Sequence, residues 1–339
     1  AGVGSVKVGA LTHSGNIVSA ASLEVTGITT STDSNITTAG FQKYTGVFNV
    51  ATGTTVLDST GNDDTDDITF EAAVTGATDT QNLTVDAGAA GAIEFKGAVT
   101  LIETLTITDS AQVTFDGIVN TVTSVVLTDT TDAGNIEFDG NLTAATLTVA
   151  SQAFDVEINE DAAITNAATF SNTGLLVLGD SADDNLTFTG GVTAITQLGG
   201  AAAIKVAGDI ATTNTNVNLG SANAGITLTQ NSTINTNTAG GNIDLDGAVD
   251  GGSKSLSLTA GTGVITSALA ISGVTTLEVV SSNSTIFTGS VNATTVTLTD
   301  TTNAGNIEFD GNLTAATLSV AGQAFDVEIN EDAAITNAA

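Results

Sequence analysis

Short apolar–polar–apolar triplets run through most of the chain: Ile93-Glu94-Phe95, Leu105-Thr106-Ile107, Val113-Thr114-Phe115, Ile136-Glu137-Phe138, Leu147-Thr148-Val149 and Val156-Glu157-Ile158. Alternation with a period of two over so few residues is the signature of a short strand with one buried face. A helical reading fails because β-branched residues dominate and Gly, Asn or Asp interrupts each run before a helix could nucleate. The triplets beginning at Ile68, Ile93, Val113, Ile136 and Val156 recur at a fairly even interval, within the range of repeat architectures. This spacing predicts rungs of two or three short strands joined by tight turns: an all-β chain, folded as a parallel β-helix (β-solenoid) with rungs of roughly 20 residues. About 16 such rungs at ~4.8 Å each would make a rod on the order of 75 Å long. Side chains alternate faces along a strand, so Ile136, Phe138, Leu147, Val149, Val156 and Ile158 are expected inside, with Glu137, Asp139 and Glu157 in solvent.

A longer repeat overlies the short one. Residues 127–168 recur as residues 298–339, an offset of 171, with three changes: Asp132 becomes Asn303, Thr148 becomes Ser319 and Ser151 becomes Gly322. Residues 51–339 are therefore assigned to the solenoid. Residues 1–50 fit the pattern less well and hold the only His (His13), the only Tyr (Tyr44) and a local cluster of Phe41, Tyr44 and Phe48. They are expected to form irregular or capping rungs. Because residues 332–339 repeat residues 161–168, which run on into further strands, that surface is expected to receive another rung, either from the remainder of a longer chain or from a second copy.

Composition narrows the function classes. The chain has no Pro, Cys, Met or Trp, so its turns rest on Gly, Asn and Asp, and neither a disulfide framework nor thiolate metal sites can form. With 37 acidic residues against 5 Lys, the net charge is -32. A polyanion of this density is repelled by nucleic acid and by anionic lipid. No apolar run approaches the roughly 20 residues of a membrane-spanning segment. At 41% hydrophobic residues the chain nevertheless has ample material for a core.

The phrase Gly134-Asn135-Ile136-Glu137-Phe138-Asp139-Gly140 followed by Leu147-Thr148-Val149 resembles the repeats of bacterial surface proteins of the filamentous haemagglutinin type and of autotransporter passengers. Gly241-Asn242-Ile243-Asp244-Leu245-Asp246-Gly247 has the same character, and the likeness covers most of the chain from about Ile68 onward. The resemblance implies a right-handed parallel β-helix, export, and a role as a stalk, adhesin or surface fibre.

Candidate chemistry concentrates in two acidic loops, Asp63, Asp64, Asp66, Asp67 and Asp180, Asp183, Asp184. Calcium is the ion such loops suit, since hard cations take several carboxylate and carbonyl oxygens from flexible turns, although the spacing matches no EF-hand or nonapeptide repeat. Polysaccharide cleavage, the usual chemistry of an acidic groove on this scaffold, lacks an Arg and exposed Trp for its substrate. Ice binding by aligned Thr is set aside because strand propensity alone places Thr at such positions. The sequence is thus read as non-enzymatic: an extracellular or cell-surface structural repeat protein forming a fibre, stalk or surface layer by head-to-tail stacking. The alternative is a calcium-dependent adhesin.

Overall fold

The computed structural model describes residues 4–61, 63–121, 123–128, 130, 134–195, 197, 200–299 and 305–338. Among them every regular element is a strand, and the ladders are parallel apart from one isolated antiparallel bridge between Ser221 and Ala224. The chain divides into two compact units, Ala1–Ile158 and Asn159–Ala339, each a parallel β-solenoid.

In the first unit each turn lays one strand on each of three faces. The first face stacks Leu23–Val25, Gln42–Tyr44, Ile68–Phe70, Ala92–Phe95, Gln112–Phe115 and Asn135–Phe138. The second stacks Thr29–Thr32, Phe48–Thr52, Val74–Gly76, Val99–Thr100 and Val119–Asn120. The third stacks Asn35–Thr38, Thr54–Ser59, Gln81–Asp86, Ile102–Ile107, Ser124–Leu127 and Thr146–Val149. Turn length is uneven, short where Val6 stacks on Leu23 and long where Gln42 stacks on Ile68, so the expected rung falls in the lower part of a range. Loops absorb the difference while the strands stay in register.

That register builds the core. Tyr44, Phe70, Phe95, Phe115 and Phe138 occupy one inward column of the first face, with successive ring centroids 5.3, 4.7, 4.7 and 4.7 Å apart and the last three pairs within 9° of parallel. The ring spacing is that of the strands themselves, about 4.7–4.9 Å, so stacked backbones dictate stacked rings. Phe48 packs edge-on against Tyr44 and Phe70. Tyr44 and Phe48 are thus core residues in regular rungs, and Phe41 alone of that cluster lies on the surface. The Tyr44 hydroxyl donates to Gln42 Oε1 (2.7 Å), and Gln42 Nε2 donates to the Ile36 and Asp58 carbonyls, so these buried polar groups are satisfied.

All six predicted core positions, Ile136, Phe138, Leu147, Val149, Val156 and Ile158, are buried. Asp139 is exposed, but Glu137 and Glu157 are half-buried rather than free in solvent. The cause is the ladder: Glu137 stands in register with Thr114 on one side and Glu157 on the other, and each covers its neighbour.

A glycine column marks the corner between the first and second faces. A Cβ on Gly46 would lie 2.4 Å from Gly27 backbone, on Gly117 2.4 Å from Gly97 backbone, and on Gly140 2.6 Å from Gly117 backbone. The corner closes tightly because no side chain is there.

In the second unit, strands of adjoining faces often run together, giving Gly200–Ala211, Ala224–Asn235, Ile271–Ser281, Val291–Leu298 and Leu313–Val320. Turn length varies here too, from a short turn that sets Val279 against Leu298 to a long one that sets Leu176 against Ile204. One strand pairing of the long sequence repeat recurs in both copies, although the two copies set it on different sheets. Ile136 pairs with Val156 and Phe138 with Ile158 in the first unit; at the equivalent positions of the second copy, Ile307 pairs with Val327 and Phe309 with Ile329.

Candidate functional site

The acidic loops are structural turns of one design. In the first, the backbone N–H of Asp63 donates to Asp66 Oδ2 (2.7 Å), and that of Asp66 to the Asp63 carbonyl (3.1 Å). In the second, the N–H groups of Asp180 and Ser181 both donate to Asp184 Oδ2 (2.8 Å each), and Asp184 N–H donates to the Ser181 carbonyl (3.4 Å). Asp66 and Asp184 are buried, each spending a carboxylate oxygen on the turn's own amides. Asp63 accepts from the Thr65 hydroxyl and, with smaller effect, from its backbone N–H, which holds its carboxyl below the usual range. Asp67 Oδ1 accepts the Ala92 N–H (2.9 Å) of the next rung. Asp64, Asp180 and Asp183 are exposed. Among the described residues no three His, Asp or Glu side chains converge as a metal-holding group.

One groove does unite two regions singled out in the sequence. Phe41, Lys43, Asp64 and Asp67 line an open depression of about 370 Å³ together with Gln42, Thr65 and Thr69. Two of its three charged members are engaged: Lys43 Nζ lies 2.8 Å from Glu71 Oε1, and Asp67 Oδ1 caps the next rung, while Asp64 is exposed. In the second unit a groove of about 410 Å³ is walled by Ala, Thr, Ser, Asn, Gly and Val, with no titratable side chain among its lining residues.

Charge in the first unit is sorted by face. The outward column of the first face reads Lys7, Glu24, Lys43, Thr69, Glu94, Thr114, Glu137, Glu157. Lys7 pairs with Glu24, and Lys43, Glu71, Lys96 and Glu94 form a continuous ion ladder with contacts of 2.8, 3.2 and 3.4 Å. The two lysines hold the Glu71 carboxyl below its ordinary value, and Glu71 raises Lys96 in return. Farther along the same column Glu137 stacks on Glu157. The second face carries Thr30, Asn49, Thr75, Thr100, Asn120 and Thr143 in its outward column, without a charge. On the third face Thr54, Asn82, Thr104, Ser124 and Thr146 align beside Val56, Thr84, Thr106, Val126 and Thr148, with Asp58 and Asp86 stacked at one edge. Burial first, and Asp86 second, push the Asp58 carboxyl up. The like-signed pair is legible in the sequence only once the register is known.

Among the described residues no helix is long and apolar enough to cross a membrane. The solenoid implied by the likeness to filamentous haemagglutinin repeats is what the structure displays. Comparison with known proteins returns no matching family model, no matching curated protein and no matching solved structure, so the family itself stays unassigned.

Proposed function

We propose that the chain is a non-enzymatic structural repeat protein of the cell exterior, extending a fibre, stalk or surface layer by axial stacking of rungs. The observation that carries this reading is the long repeat. A nearly unchanged block of sequence forms the same register of strands in both of its copies, as expected where the useful property is length. Within the second unit, Ala162–Ile164 is followed by Asn185–Phe188, Ala162 facing Leu186 and Ile164 facing Phe188. The strand Ala333–Ala338 begins with the same residues as 162–167, so its surface suits a rung of the same kind. A net charge of -32 opposes side-by-side contact far more than contact at rung ends, which are apolar and hydrogen-bonding.

Electron microscopy of the purified chain at rising concentration tests the proposal. The expected result is rods joined end to end, lengthening with concentration. Discrete particles of one size that never associate axially would remove the fibre reading in favour of the calcium-dependent adhesin.

A further inference from the structure

A line of buried hydroxyls leads to the only histidine of the chain. His13 ends the strand Leu11–His13, faces inward and is 8% exposed. Its Nδ1 lies 2.9 Å from Ser34 Oγ and 3.4 Å from the Gly15 carbonyl oxygen. Ser34 Oγ is 3.2 Å from Ser31 Oγ, the residue in register with His13 on the next rung, and Ser31 Oγ accepts the Thr55 hydroxyl at 2.7 Å. Nε2 is buried with no hydrogen-bond partner among the described residues.

This pocket suits a neutral ring. Nδ1–H can donate to the Gly15 carbonyl or to Ser34, and the Nε2 lone pair is left bare. Protonating Nε2 would set a charged donor where no described group accepts from it, and burying an unpaired charge is far costlier than leaving a lone pair unmet. Neighbouring charges are committed elsewhere. The Asp33 carboxylate accepts the Thr54 N–H (3.3 Å), Asp58 stands outward beside Asp86, and Glu24 is paired with Lys7 on the first face.

We propose that His13 is an acid-sensitive latch, which closes the polar pocket of rungs 4–38 while neutral and opens those rungs when protonated, leaving the phenylalanine-stacked rungs folded. Burial lowers the pKa of His13, with the Gly15 carbonyl a smaller opposing influence. The sign of the effect follows. Below the ordinary histidine value of about 6.5 the open form binds a proton that the closed form refuses, so the closed rungs lose stability as pH falls. Local opening of this kind draws on the least stable part of a fold.

A single histidine makes the test clean. The chain is labelled at the His13 ring carbon Cε1 and titrated by NMR between about pH 7.5 and pH 5, above the ordinary carboxylate range. Amide exchange is followed in parallel after correction for its intrinsic pH dependence. The expected result is that Leu11–His13 and Thr29–Thr32 lose protection with the midpoint at which His13 titrates, while Asn135–Phe138 keeps its protection. In His13→Gln the pH dependence of protection in the first rungs should vanish. Titration of His13 with unchanged protection, or a variant whose first rungs open with the wild-type pH dependence, would overturn the proposal. Should the variant lack protection at every pH, the wild-type curves decide: coincident midpoints support the latch and separate midpoints refute it.

Discussion

The inward face of each strand demands stackable side chains, and the corner demands none. Phe115 shows the first requirement, lying 4.7 Å from the ring before it and 4.7 Å from the ring after it. Gly117, the second residue after it, shows the other, because a Cβ there would sit 2.4 Å from Gly97 backbone and that backbone cannot swing aside as a side-chain tip would. Gly117→Ala is therefore expected to cost about 1–3 kcal/mol, the usual range for forcing an extra carbon into a packed site. Thermal or denaturant melting measures it, and an unchanged midpoint would show that the corner has slack. The periodic Gly after Phe95-Lys96, Phe115-Asp116 and Phe138-Asp139 was visible in the sequence as a turn signal. Its deeper reason, the approach of one rung to the next, was not, because that contact links residues a whole turn of the solenoid apart.

At the level of strands, the sequence could be read where a signal repeats locally and not where it depends on register. Ile136 and Phe138 announce their burial by alternation alone. That Glu137 faces Glu157, Asp86 faces Asp58, and Lys96 reaches both Glu71 and Glu94 depends on loop lengths, which vary from rung to rung. Asp66 and Asp184 show the same limit: that these carboxylates accept from the amides of their own turns is visible only in the folded loop. The ladder suggests a stabilising change. Glu157→Lys would place a cation next to Glu137, much as Lys43 and Lys96 pair with Glu71 and Glu94 nearer the start of the same unit. Exposed pairs contribute about 0.2–1 kcal/mol. A raised melting temperature in dilute buffer that shrinks at high salt is the expected outcome; a lowered one would mean the two glutamates do not oppose each other.

Over the whole molecule, electrostatics sets the conditions under which such a chain is stable. Residues 1–158 hold 20 acidic side chains against 3 Lys, and residues 159–339 hold 17 against 2, so both units carry the same burden. Screening shortens the reach of charge from about 30 Å at 0.01 M salt to about 3 Å at 1 M, so melting temperature should climb with ionic strength. Each kcal/mol recovered is worth about 2–4 °C in a domain of this size. Lowering the pH acts in opposing directions. The Asp58 carboxyl, raised in the fold, takes up its proton more readily folded than unfolded, so acidification through that interval adds stability. Glu71, lowered by Lys43 and Lys96, supports the fold above the ordinary glutamate value, and that support is lost as pH falls through its lowered value. Divalent cations separate screening from specific binding. Because Asp66 and Asp184 are tied to backbone amides, Ca²⁺ and Mg²⁺ at equal ionic strength are expected to raise the melting temperature alike. An excess with Ca²⁺ that disappears in Asp64→Asn or Asp183→Asn would mean the exposed carboxylates of the loops gather an ion after all, and the charge of the coat would then be a means of binding rather than of keeping neighbouring chains apart.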